Sequence, residues 1–281
     1  MELAPETPIT DIDAEVRPYA TDALFIHSRL TLTSSDSRVS CDMIEPREPG
    51  ARRPGIVVLA GRDQDSRALD YLTDMKNVVV VTLGFPFETR AGATVRSFFR
   101  ELPEMREAAL NVVPAARLAL EYLRLRPDVD ATRIILLGYG FTAPLVPRIA
   151  AEDKGIALAG MIYAGGDLRS LIAHNVRRSK GWLTSQVLGL VGSILLGRLD
   201  PIRHASDVSP TRLLMVNGRL DPWIPRKNVE ALYRKARSPK KIVWLDSTHF
   251  TPRNHELSRR ITNVIKDELV SLQLLNATHM A

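Results

Sequence analysis

This sequence predicts an α/β fold with a mostly parallel central sheet and helices on both faces. Three observations support that prediction. Short runs rich in Val, Ile and Leu recur with hardly any polar alternation, as strands covered on both faces do. Segments of helix length separate them, and at least one carries apolar residues at helical spacing. The chain has 281 residues, 45% of them hydrophobic and 25% charged, which is enough for a substantial core. With no internal repeat and no low-complexity tract, one domain over residues 1–281 is expected.

The elements follow in order. Leu24-Phe-Ile-His-Ser-Arg-Leu-Thr-Leu32 alternates in part with period two, and Val39-Ser-Cys-Asp-Met-Ile44 follows it. The turn residues Ser34-Ser-Asp-Ser37 lie between them, so the pair predicts a leading hairpin. Residues 45–54 form a Pro/Arg/Gly loop. Further strands are expected at Ile56–Ala60, Val78–Leu83, Ile134–Leu137, Leu158–Tyr163, Leu213–Val216 and Lys241–Leu245. Between the second and third of these, Leu110, Val113, Ala116, Leu120 and Leu123 mark a helix over 102–125, which Pro103 and Pro114 are expected to bend or divide. Residues 168–205 are too long for a simple connection and predict an inserted helical cap.

Within that insertion, Trp182 to Gly197 (WLTSQVLGLVGSILLG) runs for 16 residues without a charge. A membrane-spanning helix needs roughly 18–20 apolar residues, and Arg198 and Asp200 follow at once. The expectation is a buried or lid helix and no stable membrane span. The second reading is an apolar surface for a hydrophobic substrate or a membrane face.

Composition excludes several function classes. The formal charge is +6, from 38 Lys and Arg against 32 Asp and Glu. The densest basic run is Arg177-Arg178-Ser179-Lys180, and with aromatics at only 6%, no nucleic-acid partner is expected. Cys41 is the single cysteine, which rules out an intrachain disulfide, a four-cysteine zinc site and a CxxC redox motif. No metal and no cofactor are expected. The start, MELAPETPITDID, has neither a basic nor an apolar leader segment, so a cytoplasmic location is expected.

Three loops carry candidate chemistry. LLGYGFTAP (136–144) reads as a buried strand, a glycine turn at Gly138 to Thr142 and a helix. A nucleophile elbow, G-x-S-x-G, needs small residues around a strained backbone. Gly138 satisfies that need, Thr142 stands where the second glycine would be, and Gly140 occupies the nucleophile position with no side chain. A dinucleotide-binding fingerprint fits less well, because the third glycine is missing. Next, Val216-Asn-Gly-Arg-Leu-Asp-Pro-Trp-Ile-Pro225 places Asp221 in a loop after a strand, where an Asp-Pro pair also serves as turn chemistry. Finally, Trp244-Leu-Asp-Ser-Thr-His249 places His249 after the last strand. The other histidines, His27, His174, His204, His255 and His279, lack comparable context.

The order elbow, acid, histidine, each after its own strand, is that of the α/β-hydrolases. Residues from about 24 to 270 resemble an α/β-hydrolase of the dienelactone-hydrolase and acetyl-xylan-esterase kind. The resemblance implies that Asp221 orients His249 and that His249 serves as general base and then general acid. It also implies an oxyanion hole from the backbone N–H of Phe141 and of Arg62, the latter in Leu59-Ala-Gly-Arg-Asp63.

Gly140 departs from the pattern, since a covalent mechanism needs an oxygen or sulfur nucleophile beside the imidazole. Thr142, Cys41 and Ser247 are the nearby alternatives, and none is placed by sequence to substitute. Ordinary serine-hydrolase turnover is therefore not expected. Three accounts remain: a relative whose Asp221–His249 dyad still moves protons, an esterase silenced at one position, or a non-catalytic protein that binds a small molecule, a hydrophobic one among the candidates, under the cap. Whether the chain is an enzyme, and its oligomeric state, stay open at this level.

Overall fold

The computed structural model describes residues 11–35, 37–48, 50–60, 75–85, 95–251 and 253–275. Among them, nine strands form one sheet: β1 (Asp13–Thr21), β2 (Phe25–Thr33), β3 (Arg38–Pro46), β4 (Arg53–Leu59), β5 (Val79–Leu83), β6 (Val129–Tyr139), β7 (Leu158–Ile162), β8 (Arg212–Gly218) and β9 (Lys240–Leu245). Their order is β1-β2-β3-β5-β4-β6-β7-β8-β9. The first three strands form an antiparallel meander that joins β5, and all pairs from β5 to β9 are parallel.

The near-continuous apolar runs resolve into two faces. Val57 and Leu59 of β4, Val79 and Val81 of β5, and Ile134 and Leu136 of β6 enter one core. Their neighbours Ile56, Val58, Val80, Ile135 and Leu137 enter the other. The helices are α1 (Val95–Leu125), α2 (Val146–Glu152), α3 (Leu168–Lys180), α4 (Trp182–Leu196), α5 (Arg226–Lys235) and α6 (His255–Ser271). Helices α1, α2 and α5 fill the first core, and α6 covers the second through Leu257, Ile261, Ile265 and Leu269. Each parallel strand therefore needs apolar residues at both parities, and the parallel portion shows no polar alternation for that reason.

Three expectations change. Strand β1 was not anticipated: all nine of its residues are exposed, so DAEVRPYAT lacks the apolar half of a strand pattern. Helix α1 is continuous through both Pro103 and Pro114. Each interior proline costs about 3 kcal/mol, and burial of Leu102, Met105, Ala109, Val112, Val113, Ala116, Leu120 and Leu123 offsets it. The segment expected to be a buried or lid helix, 182–197, is α4, and its large apolar residues are exposed rather than buried. Trp182, Leu183, Val187, Leu190, Val191 and Ile194 are exposed, while Ser185, Gly189 and Gly192 face inward. With its following 3-10 turn the helical run Trp182–Leu199 reaches 18 residues, long and apolar enough by length and composition to cross a membrane.

The turn after β6 depends on a close approach at Gly138. A Cβ there would lie 2.6 Å from Val146 Cγ2 and 2.8 Å from the Cα of Ala143. Gly138→Ala is expected to cost about 1–3 kcal/mol by overpacking. A lower denaturant midpoint at unchanged m would show it; an unchanged midpoint would contradict it.

Candidate active site

Strand β6 runs into Tyr139 and then Gly140, whose φ is +54°. That left-handed conformation suits glycine and strains any L side chain. The Gly140 N–H donates to the Ile162 carbonyl at 2.8 Å, which ties the turn to the end of β7. The buried hydroxyl of Thr142 donates to the Leu59 carbonyl at 2.7 Å, which ties it to the end of β4. Among the described residues, a Cβ on Gly140 would meet nothing within 4 Å. The turn is thus held in a left-handed shape that only the missing side chain leaves unstrained.

Strand β8 ends at Gly218, where a Cβ would lie 2.7 Å from the Ser247 carbonyl oxygen and 2.9 Å from that of Thr248. This contact brings the loops after β8 and β9 together. Asp221 Oδ1 accepts from the backbone N–H groups of Trp223 (2.8 Å) and Ile224 (3.1 Å), so the carboxylate is fixed by its own loop. Its Oδ2 lies 2.7 Å from His249 Nδ1. Asp221 is 1% exposed and His249 31% exposed. A carboxylate can only accept, so it selects the Nδ1–H tautomer and leaves Nε2 as a base.

Gly140, Phe141 and His249 line a cavity of about 620 Å³. Its walls are mostly apolar: Leu168, Ile172 and Val176 of α3, Leu196 of α4, and Trp223 and Ile224 of the acid loop. Tyr163 also lines it and was not anticipated from sequence. It sits at φ +54°, unusual for a bulky residue, just after β7. Its ring stands edge-on to His249, with centroids 6.0 Å apart. Its hydroxyl is hydrogen-bonded to Ser247 Oγ, and burial pushes the phenol's pKa up, so it stays protonated at neutral pH. The Tyr163-Ala-Gly-Gly run after an apolar strand was the only sequence hint of a special turn there.

Thr142, Ser247 and Cys41, which the sequence does not place to replace the nucleophile, all bond elsewhere. Thr142 bonds to β4, and Ser247 bonds to Tyr163. Cys41 is 2% exposed on β3 and bonds to the Leu30 carbonyl. Burial, helped by the charge of Asp42, raises its thiol from the ordinary 9.0 to about 12. Cys41 should therefore resist a disulfide reagent in the native protein and react only after unfolding. Between pH 9 and 12 the unfolded thiol loses its proton and the folded one keeps it, so this group's contribution to stability falls as pH rises through that window. A native thiol that reacts at the free-cysteine rate would refute the assignment. Arg62 lies outside the described residues. Phe141 is 42% exposed, with its ring edge-on to Phe85. Among the described residues no group of three or more His, Cys, Asp or Glu could hold a metal ion.

The whole molecule superposes on solved esterases. Acetyl xylan esterase from Paenibacillus sp. R4 matches at TM-score 0.65 and 17% identity, covering 94% of this chain and 96% of that one. Acetyl Xylan Esterase 1 from Thermoanaerobacterium sp. JW/SL YS485 matches at 0.64 and 16%, covering 94% and 89%. The fold is that of the α/β-hydrolases. Acylaminoacyl peptidase from Pyrococcus horikoshii shares this α/β-hydrolase fold at TM-score 0.64 and 16% identity, over 88% of this chain and 41% of that one.

In sequence, the family described as Serine hydrolase (FSH1) matches residues 172–261. That stretch contains Asp221 and His249 and stops short of the elbow at Gly140. The Salmonella typhimurium (strain LT2) protein named "Uncharacterized protein YfhR" is 30% identical over 154 residues, 54% of this chain and 51% of that protein. Its Escherichia coli K12 namesake is 25% identical over 158 residues, 56% and 50% of the two chains. The chain thus spans about half the length of the curated relatives it matches.

Proposed function

We propose that this α/β-hydrolase-fold protein is of the carboxylic-ester-hydrolase type and holds a small, largely apolar ligand against the Asp221–His249 dyad, without covalent catalysis at position 140. The observation that carries this reading is the pairing of His249 Nδ1 with a fully buried Asp221 at 2.7 Å, beside an elbow whose nucleophile position is open. Residues 168–205 act as the cap over the cavity. The backbone N–H of Phe141, with that of Arg62, is the expected oxyanion donor set.

In this reading the dyad works on a water molecule or on the ligand itself. Nε2 takes a proton from water, the hydroxide adds to an ester carbonyl, and the C–O bond to the leaving alcohol breaks. The imidazolium then returns the proton to the departing alkoxide. Asp221 holds the tautomer and stabilises the imidazolium. Without a serine, this route is far slower than that of an ordinary serine hydrolase.

A second reading is a binding protein without turnover, favoured by the apolar walls of the cavity. The test is covalent labelling by a fluorophosphonate, followed by intact mass. The chain should remain unlabelled at 140 and elsewhere, while Gly140→Ser should take up one adduct. An adduct on the unaltered chain would overturn the reading. Slow ester hydrolysis that disappears in both His249→Ala and Asp221→Asn selects the dyad account; binding without hydrolysis selects the second.

A further inference from the structure

Helix α4 presents its apolar residues in the reverse of the usual sense. Its buried positions are the small residues Ser185, Gly189 and Gly192, spaced along one face. A Cβ on Gly189 would lie 2.7 Å from the Arg169 carbonyl and 2.9 Å from Ala173 Cβ, and one on Gly192 would lie 2.7 Å from Ile172 Cδ1. These small residues let α4 sit close on α3. The large residues Trp182, Leu183, Val187, Leu190, Val191 and Ile194 point outward, with Leu183 at 70% exposed and Ile194 at 72%. They recur at helical spacing and form one stripe with no charge within it. A monomeric protein in water rarely keeps such a stripe uncovered.

A second feature lies beside it. Arg169, His174 and Arg177 of α3, Gln186 of α4 and Lys227 of α5 line a polar cavity of about 300 Å³, with Asp167 as its acidic member. Three permanent cations therefore surround a space that borders α4 through Gln186. Exposed Arg177, near the end of α3, precedes α4 in the chain, and exposed Arg198 follows its end. The apolar stripe is thus bracketed by cations.

We propose that this face docks onto an anionic phospholipid bilayer, with the α4 stripe lying in the interface and the basic cavity taking a lipid phosphate. Partly inserted apolar side chains and cations over anionic headgroups are the two terms that hold an interfacial helix. Helix α4 lies on the surface and does not span, because its inner face is committed to α3. A second copy fits worse, since a symmetric pair built on this face would bring two copies of the Arg169, Arg177 and Lys227 cluster into one interface. The inference stands apart from the chemistry at Gly140, although Leu196 of the same helix also lines the cavity beside His249.

Flotation with vesicles of phosphatidylcholine, with and without about a third phosphatidylglycerol, tests it. Binding should appear with the anionic vesicles and weaken at high salt. It should fall at least about tenfold in Leu183→Asp/Ile194→Asp and, independently, in Arg169→Glu/Arg177→Glu. Leu125→Asp, on an exposed apolar residue of α1, should leave it unchanged. Trp182 fluorescence should shift to the blue on binding, a change absent in Trp182→Phe; this readout needs no folded aspartate variant. Failure to bind, equal binding to neutral vesicles, or retained binding in both patch variants overturns the proposal. So does a lipid-free dimer that Leu183→Asp/Ile194→Asp dissociates, which would make the face a self-association surface.

Discussion

Gly140→Ser is expected to convert the chain into an esterase toward short p-nitrophenyl esters, with kcat/KM rising on the order of 10³-fold or more over the unaltered protein. The scaffold already supplies what a serine needs. The backbone at 140 holds φ +54° with glycine there, so the strained elbow does not have to be formed by the substitution. Among the described residues, a Cβ at that position meets no atom within 4 Å. His249 lines the same cavity and is oriented through Asp221. Serine pays for its left-handed conformation with about 1–3 kcal/mol of stability, so the variant should unfold somewhat earlier while gaining activity.

The gain should vanish in Gly140→Ser/His249→Ala and be almost entirely lost in Gly140→Ser/Asp221→Asn, because the asparagine selects the wrong imidazole tautomer. Activity that survives either second change would place the chemistry elsewhere. An inert Gly140→Ser that still folds would mean that the oxyanion donors or the cavity no longer fit an ester. Gly138→Ser is the matched control. The same side chain two residues earlier strikes Val146 and Ala143, and it should destabilise without producing turnover.

The parallel part of the fold was legible because its signal is redundant. Six strands bury both faces, so a misjudged register would still leave an apolar run. Strand β1 was illegible for the opposite reason: its order comes from backbone pairing with β2 and not from burial. Gly140, Asp221 and His249 could be placed because each follows a strand at the carboxyl edge of the sheet, in a recognisable chain order. Tyr163 could not, since its role depends on a contact with Ser247 across 84 positions. Helix α4 misled because apolar content predicts burial only on average. Here the small residues took the packed face, and no sequence count distinguishes inward from outward until α3 is in place.

Arg212→Met is expected to destabilise the protein by about 3 kcal/mol, and Glu268→Met by distinctly less. Glu268 of α6 has a fully buried side chain that bonds Arg212, the first residue of β8, at 2.8 Å and Lys241 of β9 at 2.5 Å. Removing Arg212 leaves a buried carboxylate with one partner, and an undercompensated buried charge is costly. Removing Glu268 instead leaves two cations that are 27% and 44% exposed and can recover water. The larger loss should appear as a fall in Tm of about 2–4 °C per kcal/mol. These contacts pin α6 to the starts of β8 and β9, whereas Asp221 and His249 follow the opposite ends of the same strands. Introduced into Gly140→Ser and assayed well below the transition, Arg212→Met should therefore leave kcat/KM unchanged while Tm drops. A loss of kcat/KM at a temperature where the variant is fully folded would show that the pinned strand starts also set the geometry of the dyad.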